Sequence, residues 1–276
     1  MTLTSESTQH PTFVADHLFD ESLPHIICPF VPITLPNVVW LASRGIVSAM
    51  DLDNATLHHV IMTDIMERGY APTPEELVER FERPRPDISG ALHALMEYHG
   101  LVLHPNSDQI WVVHPFSMAP TGFLVRSGDR EWWGNCAWCS LGIVELAGGT
   151  ASIVTALGAV GRQVTVRIED GNLRDKDYVI HFPIKMTNVW DNVLYACSLM
   201  LLFETEADVD RWCDRHDKAK GDVRPIEQIW GFAREWYGRH LDADWQKWTA
   251  DEAAAVFRRH GLDGPTWEIP VSDGRF

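Results

Sequence analysis

The chain has 276 residues, of which 45% are hydrophobic and 22% charged, so a disordered or fibrous protein is excluded and a globular one with its own core is expected. Lys and Arg number 23 against 39 Asp and Glu, a net charge of −16. That balance repels phosphate backbones and anionic lipid surfaces, and argues against nucleic-acid and membrane partners. No run reaches the roughly 18 apolar residues that a membrane span needs; residues 194–203 come nearest and read as a buried strand. Residues 1–13 are polar and lack a basic start followed by an apolar core, so no secretory signal is expected. The five cysteines are odd in number, which suits the cytoplasm, where thiols stay reduced.

In chain order, residues 1–53 carry Pro24, Pro29, Pro32 and Pro36 and read as an irregular, extended wrap. Residues 54–118 read as a winged-helix-like module. Asn54 is positioned to cap a first helix with Leu57, Val60, Ile61 and Ile65 on one stripe, ended by Gly69. Thr73, Pro74, Glu75 and Glu76 open a second helix running to about Phe81. Asp87 opens a third, with Ile88, Leu92, Leu95 and Met96 at helical spacing and Gly100 at its end. Strand-like runs at 101–104 and 109–113 complete the pattern. The third helix, taken as 87–99, would be the groove reader of a DNA-binding module, yet it holds no Lys or Arg. Groove readers depend on those side chains, so the module is expected to pack rather than to bind DNA.

Residues 119–276 read as an α+β domain, a mixed sheet with flanking helices. Strands are expected at 121–126, 151–155, 163–169, 178–183, 194–203 and 266–271, and helices at 136–146, 207–216, 226–240 and 251–260. The run 163–169 alternates cleanly, with Val164, Val166 and Ile168 on one face.

Cys136 and Cys139 form a C-x-x-C motif. With Asn135 as cap, both would sit in the first turns of a helix, about 60° apart around its axis, where the positive helix end lowers thiol pKa values. A redox pair, half of a zinc site or two buried core cysteines all fit this spacing. The redox reading lacks a clear βαβ setting, and the zinc reading lacks a second ligand pair. Trp132, Trp133 and Trp138 flank the motif as core residues or as walls of an apolar pocket. Cys197, seen alone, reads as a core cysteine. Cys28 and Cys213 have no evident chemistry. His114, His181 and His216 are isolated and outside any metal-ligand spacing. No phosphate-binding loop and no G-x-S-x-G elbow occurs, and nothing demands a cofactor.

Residues 137–141 (AWCSL) resemble the active-site helix of the alkylmercury (organomercurial) lyases. The resemblance continues through 150–168, similar to the family's central strand pair. It extends through 194–216, similar to the segment that carries its second cysteine and a W-x-x-x-H helix, here Trp212 and His216. Residues 227–241 resemble the helix that follows. It covers roughly 54–245 and implies a catalytic thiolate at Cys139, a second catalytic thiol at Cys197 and an N-terminal module that does not read DNA. It also implies protonolysis of a carbon–mercury bond, with an organomercurial as substrate and cellular thiols removing the metal. Two soft thiolates suit soft mercury(II).

Two positions depart from the family. Gly142 stands where an aspartate, or in some members a serine, handles the proton, a role typically contributing about 10²–10⁴-fold. Cys136 stands where an aromatic residue is usual, and the N-terminal segment is longer. One expectation is therefore a three-thiol site of Cys136, Cys139 and Cys197, with Cys136 delivering the proton or holding the metal and Trp133 and Trp138 contacting substrate. Three functions follow: a lyase with altered proton delivery, a relative repurposed for another cysteine-dependent lyase or hydrolase reaction on a small organic substrate, and a non-catalytic thiol protein that binds mercury.

Overall fold

The computed structural model describes residues 52–269. The Pro-rich segment up to residue 51, with Cys28, lies outside the described residues. Residues 266–269 form no strand, and the rest of the strand expected at 266–271 also lies outside.

Helix α1 (Asn54–Arg68) is capped one residue earlier than expected, by the Asp53 side chain, which accepts from the Thr56 amide at 2.8 Å. Gly69, at φ 82, closes it in the left-handed conformation that glycine adopts without strain. Helix α2 (Pro74–Phe81) opens on a reciprocal Thr73–Glu76 capping box. Helix α3 (Arg85–Glu97) starts two residues before Asp87, with Pro84 at the cap position. Pro86, in the first turn, pre-sets the helical φ and needs no amide partner, which favours a start ahead of Asp87. Arg85 is therefore part of this helix, contrary to the sequence expectation, but it is ion-paired with Asp108 and Glu75.

Strands β1 (Val102–Leu103) and β2 (Ile110–Val113) form the hairpin that follows α3. Strand β2 also pairs with β3 (Phe116–Ser117), so the hairpin is the edge of a large sheet. With β4 (Phe123–Ser127), β5 (Arg130–Gly134), β6 (Ala151–Ala156), β7 (Gln163–Glu169) and β8 (Asn172–Leu173), the order is β1-β2-β3-β5-β4-β6-β7-β8. Residues 54–118 thus share a sheet with those that follow. A second sheet has the order β10-β9-β11, from β9 (Val179–Phe182), β10 (Leu202–Phe203) and β11 (Asp222–Pro225). Every pair is antiparallel. The α+β class holds, and the sheets are antiparallel rather than mixed, because each crossover in the large sheet leaves room for one strand of opposite direction: β5 between β3 and β4, and β4 between β5 and β6. Strand β7 buries Val164, Val166 and Ile168 as its alternation predicts.

Helix α4 (Ala137–Leu146) is apolar on all sides, and its residues from Ala137 to Val144 are all buried. A helix of that kind needs cover all round. It receives it from strands β3 to β6 on one side and from α7 (Ile226–Tyr237) on the other. Gly134 makes the strand-to-helix turn possible: a Cβ there would lie 2.9 Å from Ser140 Cα. The segment 194–203, expected as a strand, is instead helix α5 (Val193–Leu199) followed by β10. The Asn192 side chain caps it by accepting from the Tyr195 amide at 3.0 Å. A short apolar run is compatible with either element, and here the cap decides. Helices α6 (Glu206–His216) and α8 (Ala250–Arg259) complete the described residues, each opened by a capping box.

Helix α4 packs against α7 with Gly142 facing the Tyr237 ring. A Cβ built there would lie 2.2 Å from Tyr237 Cδ2, inside the ring of a side chain that is 2% exposed. Gly142→Ala gains about 1 kcal/mol of helix propensity but overpacks a buried ring, which costs typically about 1–3 kcal/mol. The expected net result is a lower urea midpoint at unchanged slope; a raised midpoint would contradict this packing.

Candidate active site

Three segments far apart in sequence bring ligating atoms together. His114 lies between β2 and β3, Cys139 in the first turn of α4 and Cys197 on α5. Their ligand atoms all lie within 4.8 Å of one another. The start of α4 is tied to the Cys197 segment by backbone: the Ala137 amide donates to the Met200 carbonyl at 3.1 Å, and the Met200 amide to the Cys197 carbonyl at 3.1 Å. His114 Nδ1 is 3.6 Å from Cys139 Sγ. On the opposite side, the Tyr237 hydroxyl at the end of α7 is 3.5 Å from the same sulfur.

The two cysteines of the C-x-x-C are not equivalent. Cys136 itself, not Asn135, is the cap of α4, with extended backbone, and its Sγ accepts from the Cys139 amide at 3.3 Å. Cys136 Sγ also faces Met200 Sδ at 3.9 Å. Burial, then its hydrogen bond with Cys139, pushes the Cys136 thiol well above the ordinary thiol range. Burial pushes Cys139 up as well, but hydrogen bonds from Cys136, Cys197 and His114, with the charge of His114, outweigh it and hold Cys139 well below that range. Cys197 is raised by its hydrogen bonds with Cys136 and Cys139 and by burial. Within the cluster, negative charge is therefore favoured on Cys139 over Cys136 and Cys197. Burial, then the Cys139 charge, raises Tyr237 well above its usual value, so its phenol keeps its proton.

Cys139 and Cys197 open onto a cavity walled by Trp138, Trp190, Trp236, Trp245 and Trp248, with Tyr237 and His114 beside the sulfurs. Trp138 stacks on Phe232 at 4.8 Å and meets the Tyr237 ring at 5.4 Å. His58 and His240 also line the wall. Desolvation holds His58 well below its ordinary value and, aided by the charges of Lys247 and His114, lowers His240 to about 3, so both are neutral. Among the described residues no carboxylate lines this cavity.

The expected residues are distributed as follows. Cys139, Cys197 and Trp138 meet at the cavity. Cys136 is buried behind them and is not on its wall. Trp133 is half-buried on β5, opposite Leu124 and Ser117, away from the cavity. Trp132 donates to the Ile65 carbonyl at 2.8 Å, a packing role. Trp212 and His216 lie on α6, against each other at 4.7 Å, and Cys213 lies 3.9 Å from His181 Nε2. Gly142 faces the ring of Tyr237. Sequence reasoning missed His114, read as isolated, and Tyr237. The one signal for either was the absent side chain at 142, which leaves room for something else.

Residues 116–238 match the alkylmercury lyase (MerB) family. No sequence match was found among curated proteins. The fold is similar to that in a crystal structure of the mercury-bound form of MerB2, with a TM-score of 0.56 and 18% identity, over 68% of this chain and 91% of that one. His114 falls two residues before the matched segment.

The thiolate assignment has a direct readout. Iodoacetamide should alkylate Cys139 before Cys136 and Cys197, with a pH midpoint below the ordinary thiol range, since the reactive form is already present there. His114→Ala should move that midpoint upward. Equal labelling of the three thiols by mass spectrometry would contradict the assignment.

Proposed function

We propose that this chain, a member of the alkylmercury lyase family over residues 116–238, cleaves the carbon–mercury bond of organomercurials by protonolysis. The observation that carries the reading is the His114, Cys139 and Cys197 group at one end of an aromatic cavity. Mercury(II) is soft and thiolates are soft donors, while among the described residues no carboxylate, which would favour harder ions, lines the cavity.

The Cys139 thiolate attacks the mercury of R–Hg–X and displaces X⁻. The Cys197 thiol then adds to the same mercury and gives up its proton. Sulfur donation loads electron density onto the carbon, the carbon–mercury bond breaks, and the carbon takes a proton. Overall, R–Hg–X, one thiolate and one thiol yield R–H, mercury held by two sulfurs, and X⁻. Atoms and charge balance without an external acid. His114 Nδ1 lies on the sulfur side, where its N–H supports the thiolate before attack; with that proton moved to Nε2, the other ring nitrogen, Nδ1 is offered to the metal afterwards. The tryptophan walls take the organic group and keep water from the sulfurs. Small cellular thiols then remove mercury(II) by ligand exchange.

A second reading, stoichiometric mercury capture without cleavage, is favoured by one observation: Gly142 places no acid beside Cys139. One experiment separates the two. The reduced protein is mixed with phenylmercury and excess small thiol, and benzene is measured by gas chromatography. Catalytic benzene release, lost in Cys139→Ser and in Cys197→Ser, is expected. Tight mercury uptake with no benzene would replace the lyase reading by the capture reading.

A further inference from the structure

We propose that Tyr237 is the proton donor to the leaving carbon, its phenol placed beside Cys139 by the space that Gly142 leaves open. The inference rests on the lyase reading above and adds to it the residue that hands over the proton.

Three observations meet at this side chain. Its hydroxyl lies 3.5 Å from Cys139 Sγ, the sulfur that takes the mercury. Its ring fills the volume into which a side chain at 142 would project, with Cδ2, Cε2 and Cγ all within 2.7 Å of the Cβ position. It lines the cavity that receives the organic group. Position 142 is one helical turn from Cys139, on the same side of α4, so a side chain there would reach the sulfur. Glycine removes it, and α7 supplies a phenol at that place instead.

Two further acids near the thiols are placed elsewhere. Glu145, further along α4, accepts from Arg234 at 3.2 Å and is not on the cavity wall. Cys136 Sγ faces Met200 Sδ behind the wall. Before substrate binds, the Tyr237 hydroxyl donates to the Cys139 sulfur. When mercury occupies that sulfur, the lone pair the hydroxyl was using is engaged, and the carbon carried on the metal comes within reach of the same O–H. The phenol O–H bond breaks as the new C–H bond forms, and the electron pair of the carbon–mercury bond becomes that C–H bond. The phenolate then takes the proton that the Cys197 thiol loses on joining the mercury. Tyr237 ends as it began, and the balance of the reaction is unchanged.

The test is single-turnover cleavage of phenylmercury acetate by the full chain and by Tyr237→Phe, which keeps the ring that packs on Gly142. Wild type should release benzene. Tyr237→Phe should keep its thermal midpoint and its stoichiometric uptake of phenylmercury, while the rate of benzene formation falls about 10²–10⁴-fold, the usual loss of a general acid. A Tyr237→Phe rate within about threefold of wild type would overturn the proposal and leave the lyase reading intact. No benzene from wild type would overturn both. As a second readout, 3-fluorotyrosine at 237 keeps ring and hydroxyl and alters only the acidity of the phenol. It should change the single-turnover rate, and an unchanged rate would also overturn the proposal.

Discussion

A negative sulfur inside a protein is costly unless several donors converge on it, because burial of an unpaired charge costs at least several kcal/mol. Cys139 is 1% exposed, yet it is the cysteine of the cluster on which negative charge is favoured. Its partners come from the β2–β3 connection (His114), the cap of its own helix (Cys136), α5 (Cys197) and the end of α7 (Tyr237). Much of the fold can be understood as what holds those four segments on one atom. The antiparallel sheet carries His114 to the start of α4. The Ala137–Met200 hydrogen bond draws α5 to the same place. The bare Cα of Gly142 lets α7 come close enough for a phenol to reach the sulfur.

The same arrangement divides the labour among the thiols. Cys136 caps the helix and shields the cluster from behind, and its raised proton affinity leaves the negative charge on its neighbour. Cys197 holds its proton more tightly than an ordinary thiol. A pair of thiolates would repel each other in this interior, whereas one thiolate and one thiol give a nucleophile and a stored proton together. The tryptophan walls complete the site with a polarizable, apolar surface, which on the lyase reading takes the organic group carried by mercury. His58 and His240, held neutral, add no positive charge to the cavity wall.

Part of this was legible in the residues. The Thr73–Glu76 box and the alternation of β7 are local signals, and both appear where the sequence places them. The AWC segment marks α4 and its cysteine, and the resemblance pairs Cys197 with it although the element around Cys197 is a helix rather than the expected strand. His114 and Tyr237 were not legible, because each meets Cys139 only through tertiary packing, across 25 and 98 residues of chain. No spacing rule spans such separations. Gly142 was visible as a departure, but a missing side chain does not say which distant residue fills its place. Trp133 shows the converse: adjacency to the motif put it among the candidates, but β5 contributes no residue to the cavity wall.

The central claim is that Cys139, Cys197 and His114 act together on one mercury atom. X-ray absorption at the mercury edge, on the full chain loaded with one equivalent of mercury(II), tests it most directly. The account predicts two sulfur ligands and a nitrogen at longer range, with one sulfur lost in Cys197→Ser and the nitrogen lost in His114→Ala. A spectrum unchanged by Cys197→Ser, or a third sulfur removed by Cys136→Ala, would contradict it.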